Sequence, residues 1–312
     1  MNTLTLKQFR YFEALARHSH FGRAAETCAI TQPALSMQIK DLEEALGTPL
    51  FERGARDVRL TAFGEEVSAR VREILRSVDE LTDLARAAQD RLLGRLRIGI
   101  IPTIAPYLLP SIIGALSRAN AGLDLNIRES VTPKLIRELL DGRLDTAIVA
   151  LPVSEPSLTE VALFSEDFVL VRSADDDGRP VPSPETLREM RLLLLEEGHC
   201  FRDQALSFCN PQAASPREIL DGSSLTTLVH MVGAGIGVTL IPEMAVGVEM
   251  RSARVSIARF DPPRPSRTVG MIWRKRSPLA SQLEQVADVV RQAAESLRDG
   301  QHEDPHLSKL SG

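Results

Sequence analysis

The chain has 312 residues, more than one hydrophobic core normally organises, so two or three compact units are expected. With 43% hydrophobic and 25% charged residues it has the composition of a globular protein, and no apolar run reaches the length of a membrane span. The start MNTLTLKQFRYF lacks the basic opening and apolar stretch of a signal peptide, and three cysteines are too few for a secreted disulfide framework. The expected compartment is therefore the reducing cytoplasm, with no membrane partner. The net charge of −5 gives no hint of a nucleic-acid partner, and the first sixty residues hold eight Lys or Arg against seven Asp or Glu. Any case for DNA binding has to come from pattern.

In chain order, LTLKQFRYFEALAR (4–17) spaces Leu6, Phe9, Phe12 and Ala16 as a helix, and FGRAAETC (21–28) fits a second, shorter one. A third helix is expected from Gln32 to Leu46, with Thr31 as its N-cap, Pro33 in its first turn and Gly47 as its C-cap. Two helices joined by a tight turn make a helix-turn-helix. Gln32, Ser36, Gln38 and Lys40 lie on the outer face of the third helix, where amide, hydroxyl and ammonium groups suit base edges and phosphates. FERGARDVRLT then reads as a two-stranded wing with Gly54 at its bend, carrying Arg53, Arg56 and Arg59. The pattern equally describes a small helical domain with a solvated polar face.

A long helix is expected from about Thr61 to Leu92. Val67, Val71, Ile74, Val78, Leu81, Ala85 and Ala88 are spaced alternately by four and three residues, an unbroken heptad seam. At 1.5 Å per residue such a helix is about 40 Å or more long. A small domain cannot cover its stripe, so the seam points to pairing with a second copy, packing within one chain being the other reading. From Gly94 onward strands and helices alternate. LRIGII, LDLNIRES, TAIVAL, FVLVRS, LLLLE, GVTLI and VGMIWRK read as strands, while PYLLPSIIGAL, PKLIRELLDG, SLTTLVHMVGAG and 279–297 read as helices. This is an α/β unit long enough for two lobes. GAGIGVT (233–239) follows a helix and precedes a strand, the reverse of a dinucleotide loop, so Gly233 or Gly235 is read as a helix cap. The polar end, 301–312, is expected to be a disordered tail, and no cofactor is indicated.

GHCFRDQALSFCN (198–210) holds two of the three cysteines, Cys200 and Cys209, with His199, Arg202 and Asp203 beside the first. Their spacing is not that of a metal clip, and no fourth ligand accompanies His199, so no metal is expected. Gly198 follows the strand LLLLEE, which puts Cys200 at a helix N-terminus, where the dipole favours an anion. Both cysteines are also readable as small buried hydrophobes, with Phe201, Leu206 and Phe208 as core neighbours. Cys28 is read as a core residue.

The stretch AAETCAITQPALSMQIKDLEEALGTPLFERGARDVRLTAFGE resembles the winged helix-turn-helix of LysR-type transcriptional regulators, and so does the order of reader, linker helix and effector unit. The likeness covers almost the whole chain apart from the tail. IPTIAPYLLP (101–110), EEGHCFRDQALSFC (196–209) and PSRTVG (265–270) are similar to the peroxide-sensing members of that family in particular. The resemblance implies an N-terminal winged helix-turn-helix at 1–60 and a linker and dimerisation helix at 61–93. It implies a regulatory domain at 94–300, built like periplasmic binding proteins, with one lobe near 95–165 plus 268–300 and the other near 166–267. It further implies a homodimer or homotetramer on promoter DNA that engages RNA polymerase and is no enzyme. In the implied chemistry hydrogen peroxide oxidises Cys200 to a sulfenic acid, Cys209 resolves it as a disulfide, and a glutaredoxin- or thioredoxin-type reductant resets it.

Thr103, Thr132, His199, Asp203 and Arg267 become the candidates that bind peroxide and stabilise the leaving oxygen, with Arg202 favouring the thiolate. On their own residues, the two threonines are also simple helix caps and Arg267 a surface charge. If 200–209 is one continuous helix, its ends are about 13.5 Å apart along the axis, whereas a disulfide needs Cα atoms within about 7 Å. Bond formation then requires the segment to refold. NPQAASPREILDG (210–222) departs from the peroxide-sensing pattern, with Pro211 and Pro216 in the segment that would rearrange. Two other readings stay open: a LysR-type regulator holding a small organic acid between its lobes, and a thiol peroxidase.

Overall fold

The computed structural model describes residues 4–52, 58–87, 94–183, 186–187, 190–209, 219–251 and 253–302. It divides into two units, Met1–Ala85 and Arg86–Gly312. In the first, α1 (Leu6–His18), α2 (Phe21–Thr27) and α3 (Gln32–Leu46) enclose Phe12, Leu15, Ala24, Leu35, Ile39 and Leu42. Thr5 and Gln8 form a reciprocal capping box at the start of α1. Thr31 accepts a hydrogen bond from the Ala34 amide, and Gly47 ends α3 in the left-handed conformation. The wing strands β1 (Phe51–Glu52) and β2 (Arg59–Leu60) pair antiparallel. Glu43 Oε1 holds the wing to α3 by accepting from the amides of Leu50 (2.7 Å) and Phe51 (3.2 Å).

The long helix α4 runs from Ala62 to Ala87, and the end expected for it beyond residue 87 lies outside the described residues. Gly64 is required where it passes the wing, because a Cβ there would stand 2.1 Å from the Leu50 carbonyl oxygen. Along the seam, Val71 is buried and Val67 packs against the same core, but Ile74 is 41% and Leu81 66% exposed. In the second half of the stripe Ala85 is also exposed and Val78 half-buried.

In the second unit, seven strands among the described residues form one sheet. The parallel strands β3 (Gly94–Ile100), β4 (Leu123–Glu129) and β5 (Thr146–Leu151) are joined by α5 (Ala105–Ala119) and α6 (Thr132–Leu140). β6 (Leu158–Ser173) and β11 (Ser266–Arg274) run antiparallel to each other and carry the chain between the lobes. The far half of β6 pairs with β9 (Thr239–Pro242) and β10 (Val255–Arg259). β7 (Leu192–Leu195) and β8 (Ile219–Gly222) form a separate parallel pair. Around them lie α7 (Cys200–Cys209), α8 (Leu225–Gly233), α9 (Val246–Glu249) and α10 (Ala280–His302). Leu96, Ile98, Ile148, Trp273 and Val290 fill one end of the core, and Val169, Leu193, Phe201, Leu228 and Leu240 the other.

The differences from the sequence reading have local causes. β6 begins at Leu158, ten residues before the expected FVLVRS, because the mixed polar run LTEVALFSED still pairs edge to edge with β11. β8 and β10 are short strands not expected at all. α10 extends to His302, two residues into the expected tail, running through Gly300. Residues 303–312 lie outside the described residues. Gly235, with φ of +77°, terminates α8 as expected, donating its amide to Val232 O.

Candidate functional site

Three chain segments meet where strands β3, β4 and β7 end at their carboxyl termini, the usual ligand edge of an α/β sheet. From β3 comes Ile101-Pro102-Thr103, from β4 Val131-Thr132, and from β7 the turn leading through His199 to Cys200 and Phe201. These residues line a pocket with about 160 Å³ of unfilled space, spread between atoms rather than open as a chamber. Gly198, with φ of +93°, makes the turn into α7, and Cys200 is that helix's first residue, half-buried and free. Phe201 drops into the core and packs edge-on against Phe168.

Thr103 and Thr132 do not act as helix caps. Ile104 and Val131 hold those positions, and neither makes a side-chain cap. Thr132 Oγ1 is buried with no hydrogen-bond partner among the described residues. Native structures rarely leave a hydroxyl in that condition, because it costs about 1–3 kcal/mol. Thr103 is 2% exposed, and its Oγ1 accepts from Arg267 Nη1 at 2.7 Å. His199 is half-buried, and burial lowers its pKa below 6.5 against the opposing pull of Glu196. The imidazole is therefore neutral at pH 7 and offers one donor and one acceptor nitrogen.

Arg267 corrects the reading as a surface charge. Its side chain is fully buried, its Nε and Nη2 meet Glu166 Oε1 at 2.8 and 2.6 Å, and its guanidinium lies 5.8 Å from the Phe201 ring centroid. It shares strand parity with Val269, Met271 and Trp273, all buried. Arg202 and Asp203 are the opposite case. Arg202 turns away from the cysteine to the Leu195 carbonyl and an ion pair with Asp221, tying α7 to β7 and β8. Asp203 is exposed. Successive helical residues are rotated by about 100°, so positions two and three after Cys200 cannot both share its face. Neither lines the pocket. α7 is continuous from Cys200 to Cys209, so the two backbones are nine residues apart on one helix.

In the reader unit, Thr31, Gln32, Pro33, Ser36 and Lys40 are exposed on α3, Gln38 is partly so, and Arg59 is exposed on the wing. Lys40 pairs loosely with Glu44 at 3.5 Å. Arg53 and Arg56 lie outside the described residues. Cys28 packs against the reader core, and burial raises its thiol pKa.

A three-helix reader with a wing, a long helix with a bare apolar stripe, and a two-lobed α/β unit with a pocket between strand ends define a bacterial regulator of the ligand-responsive, DNA-binding class. Residues 6–65 match the bacterial regulatory helix-turn-helix protein, lysR family, and residues 89–295 the LysR substrate binding domain. The chain belongs to the LysR family. It is 41% identical over 297 residues to a "Probable hydrogen peroxide-inducible genes activator" of Streptomyces viridosporus, covering 94% of this chain and 95% of that protein. Among solved structures, a full-length OxyR variant from Pseudomonas aeruginosa superposes with a TM-score of 0.73 at 38% identity, covering 93% of this chain and 95% of that one. A hydrogen peroxide-bound OxyR cysteine-to-serine mutant from Corynebacterium glutamicum gives a TM-score of 0.65 at 35% identity, over 94% of this chain and 93% of that one.

Proposed function

We propose that the protein is a peroxide-sensing transcriptional regulator whose sensing thiol is Cys200. The observation that carries this is the buried, unpartnered Thr132 hydroxyl in the wall of the Cys200 pocket. Thr103, Thr132 and His199 supply hydrogen-bonding groups around a thiol at a helix start. The names of its relatives point the same way.

In the reaction, the Cys200 thiolate attacks one oxygen of hydrogen peroxide. The S–O bond forms as the O–O bond breaks, and the departing hydroxide becomes water by taking up the proton that the Cys200 thiol released to solvent on ionising. The sulfenic acid then condenses with the Cys209 thiol, releasing water and leaving a disulfide. Because α7 separates the two residues by about 13.5 Å along its axis, closing that bond means dismantling the helix. The covalent step thereby resets a two-state element. Reduction by a glutaredoxin- or thioredoxin-type thiol returns it.

On this reading residues 1–60 read promoter DNA through α3 and the wing, and residues 61–93 pair copies through Ile74, Val78, Leu81 and Ala85. Residues 94–300 form the sensor, with lobes near 95–165 plus 268–300 and near 166–267, and 301–312 follow as a tail. The working form is a cytoplasmic homodimer or homotetramer that recruits RNA polymerase to antioxidant genes. Peptide mapping of the full chain after one equivalent of peroxide tests the chemistry. A Cys200–Cys209 linked peptide is expected, and unchanged free thiols at both positions would refute it.

A further inference from the structure

We propose that Glu166 is a positioning residue for peroxide reduction, acting through Arg267 and Thr103 on the pocket that holds Cys200; this rests on the reading of Cys200 as the peroxide-reactive thiol. Glu166 and Arg267 face each other as a register pair on the antiparallel strands β6 and β11. The Arg267 side chain is fully buried and that of Glu166 6% exposed. A guanidinium in such a place needs a counter-charge and fixed partners. Glu166 supplies the charge. Its Oε1 takes Nε and Nη2, and its Oε2 accepts from the Met244 amide at 3.4 Å, so the carboxylate is itself anchored to the second lobe.

With Nε and Nη2 held, Nη1 is aimed at Thr103 Oγ1 at 2.7 Å, and Nη2 also reaches the Thr103 carbonyl at 3.0 Å. An arginine only donates, so the Thr103 hydroxyl is obliged to accept this bond. Its own proton is left over, and it has no acceptor among the described residues, while Thr103 lines the cysteine pocket. The chain carboxylate–guanidinium–hydroxyl therefore leaves one O–H to be donated to a bound peroxide oxygen. It polarises that O–H through the positive charge behind it. As the thiolate forms its bond to one oxygen, the other departs as hydroxide, and this donor stabilises the developing negative charge. Glu166 touches none of the reacting atoms. It fixes which way the proton points.

The test compares two reactions of the same thiol in full-length protein: sulfenic acid formation with hydrogen peroxide, and alkylation by iodoacetamide, which needs no donor to a leaving oxygen. Glu166→Gln should slow peroxide at least about 10-fold, as expected for a misdirected donor to a charged transition state, and leave alkylation within threefold. In a Thr103→Val background the same substitution should add no further slowing, because the hydroxyl through which it acts is gone. Where Glu166→Gln lowers the yield of folded protein, Glu166→Asp, which keeps the charge but withdraws it by one methylene, is carried through both rates with the same expectation of selective slowing. A peroxide rate within twofold of wild type overturns the proposal. So does a parallel loss of both rates, or full additivity with Thr103→Val. If wild type forms no sulfenic acid at Cys200, the functional reading fails instead, and the two failures are distinguished by that control.

Discussion

Replacing Thr132 with Val should make the protein more stable and less responsive at once. Thr132 Oγ1 is buried without a partner among the described residues, and valine keeps the side chain's shape while exchanging the hydroxyl for a methyl. Leaving such a group unsatisfied costs about 1–3 kcal/mol, and an added buried methyl contributes up to about 0.8 kcal/mol. Allowing for incomplete burial, with Thr132 at 9% exposure, the expected gain is about 1–2 kcal/mol. In the proposed site the same hydroxyl donates to bound peroxide, and its loss should then slow Cys200 oxidation about 10-fold, equivalent to about 1.4 kcal/mol. Urea unfolding followed by the fluorescence of Trp273, the chain's sole tryptophan and buried in the regulatory unit, reads the stability change. With a slope of about 2 kcal/mol per molar, the midpoint should rise by roughly 0.5–1 M. Stopped-flow sulfenic acid trapping reads the rate. A variant destabilised by more than about 1 kcal/mol would refute the claim that this hydroxyl is held unsatisfied for a ligand. An unchanged peroxide rate would refute its role.

Three further outcomes follow from the geometry. Burial lowers the His199 pKa below 6.5, so the unfolded chain binds its proton more readily than the folded one, and stability declines as pH falls from 6.5 through the folded-state midpoint. His199→Gln should flatten urea midpoints across that acidic window and leave them unchanged above pH 7; an equally steep decline would refute the assignment. Arg202→Ala should lower the urea midpoint of the regulatory unit, because it removes the tie to the Leu195 carbonyl and the partly exposed pair with Asp221, a loss of about 1–2 kcal/mol. It should leave the peroxide rate within about threefold, and a much larger drop in stopped-flow measurements would return Arg202 to the pocket. Leu81→Asp places a charge on the bare stripe of α4 and should shift sedimentation toward smaller assemblies; an unchanged distribution would show that the stripe is not a pairing surface.

Local signals were legible and partner-dependent ones were not. Thr31 and Gly47 mark the ends of α3 because capping depends only on neighbouring residues. Gly198 likewise announces the turn that makes Cys200 the first residue of a helix. Arg267 looked like a surface charge because its counter-ion stands 101 residues earlier, and only the strand register brings Glu166 opposite it. A signal was nevertheless present. Arg267 alternates in phase with Val269, Met271 and Trp273, and Glu166 with Phe168, although Ile272, Val169 and Val171 of the opposite phase are buried too, so the pattern marks strands buried on both faces rather than the pair itself. Arg202 and Asp203 were grouped with Cys200 by adjacency in sequence, but the helix turns Arg202 to the opposite side, and Asp203, one turn on from Cys200, is exposed and does not line the pocket. The unpartnered Thr132 hydroxyl has no sequence signature at all, since what makes it notable is the missing neighbour.

On the proposed mechanism, oxidation of Cys200 is the event the DNA-bound protein reports. Transcription in vitro from a responsive promoter, with and without peroxide, for wild type and Cys200→Ser tests it most directly. Peroxide should change the output of wild type and leave Cys200→Ser at its reduced-state level. An equal response from both proteins would contradict the account, because the signal would then enter somewhere other than the α7 cysteine.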